Sequence, residues 1–209
     1  TQNVVVTVNP RPTLTSTLTP PAICSNTIFS YTPTSGTIGV TFSWSRAFVA
    51  GISNPAASGT GNPNEILINT TTAPRNVTYI YTLSANGCTN PTAYNIVVVV
   101  NPTPVLTSTL TPAAICSNTL FSYTPTSLTT GVVFNWSRAA IAGISNPAAS
   151  GTGNPNETLI NTTANPINVT YAYTLTANGC SNIQTVVVLV NPRPTLSSSL
   201  TPPSICNNT

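Results

Sequence analysis

Val40-Thr41-Phe42-Ser43-Trp44-Ser45 alternates apolar with polar at every residue, with Val40, Phe42 and Trp44 on one face and Thr41, Ser43 and Ser45 on the other. Successive side chains of a β-strand point to opposite faces of a sheet, so the pattern reads as a strand with one face buried and one wet. Its copy keeps the inward set as Val132, Phe134 and Trp136. Outward from this stretch, short β-rich runs are punctuated by Pro, Gly and Asn, and none follows a helical period. Thr13–Leu18 leans on Leu14 and Leu18, and Thr27–Thr32 sets Phe29 and Tyr31 on one face. Glu65–Asn69 carries Leu67, and Val77–Leu83 alternates again through Val77, Tyr79, Tyr81 and Leu83. Asn86-Gly87, within Ser84–Cys88, suits the positive φ angles of a tight hairpin turn, and Ala93–Val100 closes the set. About seven strands in about 92 residues is the pattern of an immunoglobulin-like β-sandwich, so the expected fold class is all-β.

The whole pattern is repeated. Pro20-Pro-Ala-Ile-Cys-Ser-Asn-Thr27 returns as Pro112-Ala-Ala-Ile-Cys-Ser-Asn-Thr119 and as Pro202-Pro-Ser-Ile-Cys-Asn-Asn-Thr209. Cys24 and Cys116 are 92 residues apart, Cys116 and Cys206 90. A period of this size marks tandem copies of one small domain. Residues 1–10 read as the last strand of a preceding repeat, 11–102 and 103–192 as full repeats, and 193–209 as the start of a further one. Asn101-Pro-Thr-Pro104 and Asn191-Pro-Arg-Pro194 are the expected end-to-end junctions, short and stiff because proline fixes φ.

Only 3 % of the 209 residues are charged: Arg11, Arg46, Arg75, Arg138 and Arg193, with Glu65 and Glu157. There is no Lys, Asp, His or Met. A hydrophobic content of 40 % sets the chain apart from disordered sequences, which combine low hydrophobicity with high net charge. The thin charge of +3 argues against nucleic acid as a partner, since phosphate neutralisation needs clustered basic residues. No run reaches the roughly 18 apolar residues of a membrane span. Without His or Asp there is no usual general base, triad or carboxylate pair, so no enzymatic activity is expected. One Glu per copy is too few for a calcium site, and no cysteine stands in a Cys-x-x-Cys, so neither metal nor cofactor is expected.

The candidate residues recur once per copy. Cys24, Cys116 and Cys206 follow Ile, whereas Cys88 and Cys180 follow Asn-Gly. One cysteine of each kind per repeat suggests a disulfide and an oxidising compartment. Pairing within the repeat, Cys24 with Cys88 and Cys116 with Cys180, is favoured because a small secreted domain gains most from closing a long loop on itself. Pairing between neighbours, Cys88 with Cys116 and Cys180 with Cys206, is the rival. On the first scheme the partner of Cys206 lies outside the sequence.

Arg46 and Glu65, and Arg138 and Glu157, share a spacing of 19. They read as a structural ion pair between the end of the Trp strand and the start of the Glu strand, with a ligand or inter-domain contact as the sharper alternative. Trp44, Trp136, Phe42, Phe134, Tyr79 and Tyr171 lie on faces assigned to the core. The turn-rich loops 50–64 and 142–156, nearly identical in the two copies, are the candidates for binding a glycan or protein. Asn-x-Ser/Thr occurs at Asn69, Asn76, Asn135, Asn156, Asn161, Asn168 and Asn207, as expected by chance in a chain so rich in Asn and Thr.

The order Ile-Cys-Ser-Asn, Tyr-Thr-Pro, a Trp strand, Gly-Ile, Asn-Glu-x-Leu-x-Asn-Thr-Thr, Val-Thr-Tyr, Asn-Gly-Cys and Val-Val-Val-Asn-Pro, through essentially the whole chain, resembles the PKD-like repeats of Bacteroidota surface proteins. Those arrays occur in very long secreted proteins, including adhesins of the gliding-motility type. The resemblance implies an extracellular, cell-surface array exported by the type IX pathway. The expected function is a non-enzymatic structural repeat of a long adhesin or stalk, giving reach and mechanical stability. The alternatives are a subunit of a self-assembling extracellular filament and a repeated binding module using loops 50–64 and 142–156. The expected partners are neighbouring repeats, other copies in a filament, and surface glycans or proteins.

Overall fold

A computed structural model describes residues 2–201 and 203–207. Among them there is no helix, and all regular structure is β. The chain divides into two compact units: Thr1–Thr107 with Thr126–Val133 and Leu175–Asn182, and Ser108–Pro125 with Phe134–Thr174 and Ile183–Thr209.

In the first repeat the strands are β1 (Ile23–Cys24), β2 (Thr27–Phe29), β3 (Thr41–Arg46), β4 (Ala57–Thr60), β5 (Glu65–Leu67), β6 (Arg75–Ala85), β7 (Cys88–Thr89) and β8 (Tyr94–Asn101). The larger sheet runs β1-β8-β6-β3-β4, with β7 also on β6, and the smaller pairs β2 with β5. β1 is parallel to β8, with Cys24 opposite Asn101, and the other pairings are antiparallel. The bridge Ile52↔Asn69 adds to the smaller sheet's side.

The core follows from alternation. Val77, Tyr79, Tyr81, Leu83 and Ala85 of β6 are buried, as are Ile96, Val98 and Val100 of β8. Phe29 from the smaller sheet stacks on Tyr79 at 5.0 Å, and Trp44 meets Tyr79 edge-on at 5.5 Å. Trp44, Trp136, Tyr79 and Tyr171 are buried. Phe42 and Phe134 are only half-buried; Phe42 packs against the rim of the cluster.

The second repeat contains β9 (Ile115–Cys116), β10 (Thr119–Phe121), β11 (Val133–Arg138), β12 (Ala149–Thr152), β13 (Glu157–Leu159), β14 (Ile167–Ala177) and β15 (Cys180–Asn191). Its sheets are β12-β11-β14-β15-β9 and β10-β13. β15 is one unbroken strand where the first repeat has β7 and β8. Pro91, which lacks a donor, has no counterpart in Cys180-Ser-Asn-Ile-Gln.

Three expectations need correction. Thr13–Leu18 is not a strand. It makes isolated bonds, Thr15 N–H to Thr34 O at 2.8 Å and Val97 N–H to Leu18 O at 3.0 Å, between the constraints of Pro12 and Pro20. Residues 2–10 repeat the closing-strand sequence but form no strand, for a strand is made by its ladder, and their counterparts in β8 lie between β1 and β6. Loop 50–64 is not all turn: Ala57–Thr60 is the edge strand β4, and Ala149–Thr152 is its copy β12.

Candidate functional site

Two constellations recur with the repeat, one inside each sandwich and one at the junction. The first begins at the end of β3. The alternation that buries Trp44 continues two residues on to Arg46, which is only 2 % exposed. Arg46 Nε and Nη2 donate to the two Glu65 oxygens at 2.9 and 2.8 Å, Nη2 also donates to Pro55 O at 2.7 Å, and Nη1 to Ala47 O at 3.4 Å. Tyr79 Oη completes the group by donating to Glu65 Oε2 at 2.6 Å. Burial alone would push the Glu65 carboxyl up, but the hydrogen bonds from Arg46 and Tyr79, with the charge of Arg46, hold it below its ordinary value. Burial, then the neighbouring carboxylate, pushes the Tyr79 phenol up. Arg138, Glu157 and Tyr171 reproduce the arrangement in the second repeat. All the strong donors and acceptors are engaged with one another, so this is a clamp between the two sheets. Strand alternation sets Glu65 on the same face as Leu67, but nothing in the spacing signals that Tyr79 meets it.

The repeated letters of loop 50–64 are accounted for by the fold. Asn54 donates to Ile66 O at 2.7 Å and accepts from Ile68 N–H at 3.0 Å. Asn62 accepts from Tyr31 N–H at 2.8 Å, and Gly61 O accepts from Tyr81 Oη at 2.8 Å. Gly59 lies against the Trp44 indole, where a Cβ would come 2.8 Å from Cζ2. Asn69, one of the Asn-x-Thr sites, is buried and donates to Ala73 O and Val100 O.

The second constellation is held by Asn side chains whose hydrogen bonds no spacing in the sequence reveals. Asn101, at the end of β8, donates to Asn178 O at 2.9 Å, and Asn182 donates to Pro104 O at 3.0 Å. Between these bonds Cys24 is disulfide-bonded to Cys180, with Cα atoms 5.6 Å apart. Both favoured pairings are overturned. Ile23 and Arg75 each pair with Val100, placing Cys24 at the start of β6, whereas Cys88 pairs with Ala85 at its end. Ten residues of strand separate them, about 33 Å, where a disulfide tolerates about 7 Å between Cα atoms. With Cys180 bonded to Cys24, neither Cys116 nor Cys206 is its mate. Cys88 and Cys116 are thiols here, so the Cys88–Cys116 pairing is not formed either.

Among the described residues, no three of His, Cys, Asp or Glu come together as a metal site, and no helix is long and apolar enough to cross a membrane.

A model of the PKD-like domain matches residues 21–104 and 113–194. No protein of curated function matches the sequence. Among solved structures, human protocadherin-24 EC1-2 is similar at 13 % identity and a TM-score of 0.45, covering 90 % of this chain and all of that one. Drosophila N-cadherin EC1-4 is similar at 8 % identity and a TM-score of 0.40, over 89 % of this chain, which spans about half of that one. An endo-fucoidan hydrolase of glycoside hydrolase family 107 is similar at 12 % identity and a TM-score of 0.31, over 91 % of this chain and 30 % of that one.

Proposed function

The chain belongs to the PKD-like domain family, and from that premise we propose that it is a non-enzymatic, load-bearing segment of an extracellular array, a stalk or surface adhesin whose repeats set its reach. The observation that carries this reading is the Cys24–Cys180 disulfide, which ties the first strand of one copy to the hairpin of the next across 156 residues. Such a bond suits a protein that is pulled on, and it belongs to an oxidising compartment. The repeated letters of loops 50–64 and 142–156 have folding roles, which weakens the reading of those loops as a repeated glycan or protein site.

A second reading, a filament subunit, draws support from β4 and β12, which end their sheets with one ladder edge unpaired in each among the described residues. Immunogold electron microscopy of the native surface material, with an antibody raised against residues 11–192, tests both. Label along threads one sandwich wide supports the stalk. Label along thicker filaments of many chains favours the second reading. Label confined to the cell interior overturns both.

A further inference from the structure

The junction that holds the disulfide is already half-built one period earlier in the chain. Asn9 donates to Asn86 O at 3.0 Å as Asn101 does to Asn178 O, both across 77 residues. Asn90 donates to Pro12 O at 2.9 Å as Asn182 does to Pro104 O, both across 78 residues. The Cys88 sulfur lies 3.9 Å from Asn9 O. Asn9 corresponds to Asn101, and the residue opposite Asn101 in the parallel ladder is Cys24, the mate of Cys180. The same ladder is formed at the end of the second repeat, where Cys116 stands opposite Asn191 and is exposed.

We infer that Cys88 and Cys116 are the two open halves of this same junction, each forming a disulfide with an adjoining copy of the repeat. Cys88 takes the Ile-Cys cysteine of the copy that precedes it, and Cys116 takes the Asn-Gly-Cys cysteine of the copy that follows. The inference rests on the array reading above, and it does not rest on cysteine spacing alone. The identical set of Asn bonds is closed by a disulfide where both copies are present. Each bond forms when two thiols lose two protons and two electrons. A dithiol–disulfide oxidoreductase of the export compartment accepts them, its own disulfide becoming two thiols. The resulting bonds overlap: the loop closed from Cys116 begins inside the loop from Cys24 to Cys180, so the copies are linked as in a chain of interlocked stitches.

The test is disulfide mapping of the full-length native protein, purified with iodoacetamide present, digested without reduction and read by mass spectrometry. The expected result is a Cys88 peptide bonded to an Ile-Cys peptide and a Cys116 peptide bonded to an Asn-Gly-Cys peptide, beside Cys24–Cys180. Neither Cys88 nor Cys116 is alkylated before reduction, and both are fully alkylated after it. Alkylation of Cys88 and Cys116 with Cys24–Cys180 intact overturns this inference and leaves the array reading standing. A bond between Cys88 and Cys116 of one chain overturns it equally. Alkylation of all four shows that the chain never met an oxidising compartment, and then the extracellular reading falls as well.

Discussion

Tyr79 reaches from the larger sheet to donate its hydroxyl to Glu65 of the smaller sheet at 2.6 Å, on the oxygen that also accepts from Arg46 Nε. The sheets are thereby joined by a charge as well as by apolar packing. Removing the charge leaves Arg46 buried against a neutral partner. Breaking a buried ion pair from one side costs about 3–5 kcal/mol, and Glu65 keeps 17 % of its side-chain exposure, so Glu65→Gln should cost about 3 kcal/mol, the lower end of that range. Tyr79→Phe should cost about 1.5–3 kcal/mol, the worth of a hydrogen bond to a charged group. Urea denaturation of the oxidised chain measures both. A change under about 0.5 kcal/mol in either, the size of an ordinary surface substitution, refutes the clamp.

The pH profile follows from the same residues. The Glu65 and Glu157 carboxyls are held below their ordinary value of 4.5 in the folded state. A depressed carboxyl contributes stability that is fully present above the unfolded value and is lost as pH falls through the folded one. The phenols of Tyr79, Tyr81, Tyr171 and Tyr173 are raised above 10.0, chiefly by burial. Their contribution is fully present below pH 10 and is lost as pH rises through their folded values. With no Asp, His or Lys, the melting temperature should be flat from about pH 5 to pH 8. In Glu65→Gln/Glu157→Gln the loss on the acid side should disappear, leaving the alkaline loss. An acid slope that survives in the double variant shows that these carboxylates do not set it.

Much of this was readable in the sequence. Alternation through Trp44 and Tyr79 locates the core because a half-buried strand exposes its period directly. The burial of Arg46 was also readable, one step of two beyond Trp44. β4 was not, since Ala57-Ser-Gly-Thr60 has no bulky residue: it is an edge strand held by the β3 backbone. The disulfide was unreadable for a different reason. Spacing along the chain says nothing about which end of an eleven-residue strand a cysteine occupies, and β6 places Cys24 and Cys88 at opposite ends.

Gly59 tests the closeness of β4 to the core. An added Cβ would lie 2.8 Å from Trp44 Cζ2 and 3.0 Å from Cε2. Gly59→Ala must therefore displace either the indole or the edge strand, and overpacking of this kind costs about 1–3 kcal/mol. Gly36→Ala is the control, because nothing lies within 4 Å of its added Cβ. Thermal melts of the two variants should separate clearly. Equal melting temperatures would mean that β4 yields freely to the indole.

Every strand from β2 to β14 lies between Cys24 and Cys180 in the sequence, within a loop of 156 residues. Tension applied outside the loop passes through the sulfur–sulfur bond, so the ladders inside are spared whatever their own strength. At about 3.3–3.6 Å per extended residue the loop conceals roughly 500 Å of contour. Stretched in optical tweezers from handles at residues 10 and 200, the oxidised chain should therefore reach a full extension roughly 500 Å shorter than the reduced chain. Cys180→Ser should behave as the reduced chain does without any reductant. Equal extension of the oxidised and reduced chains would remove the disulfide from the load path and leave hydrogen-bonded ladders to resist the pull.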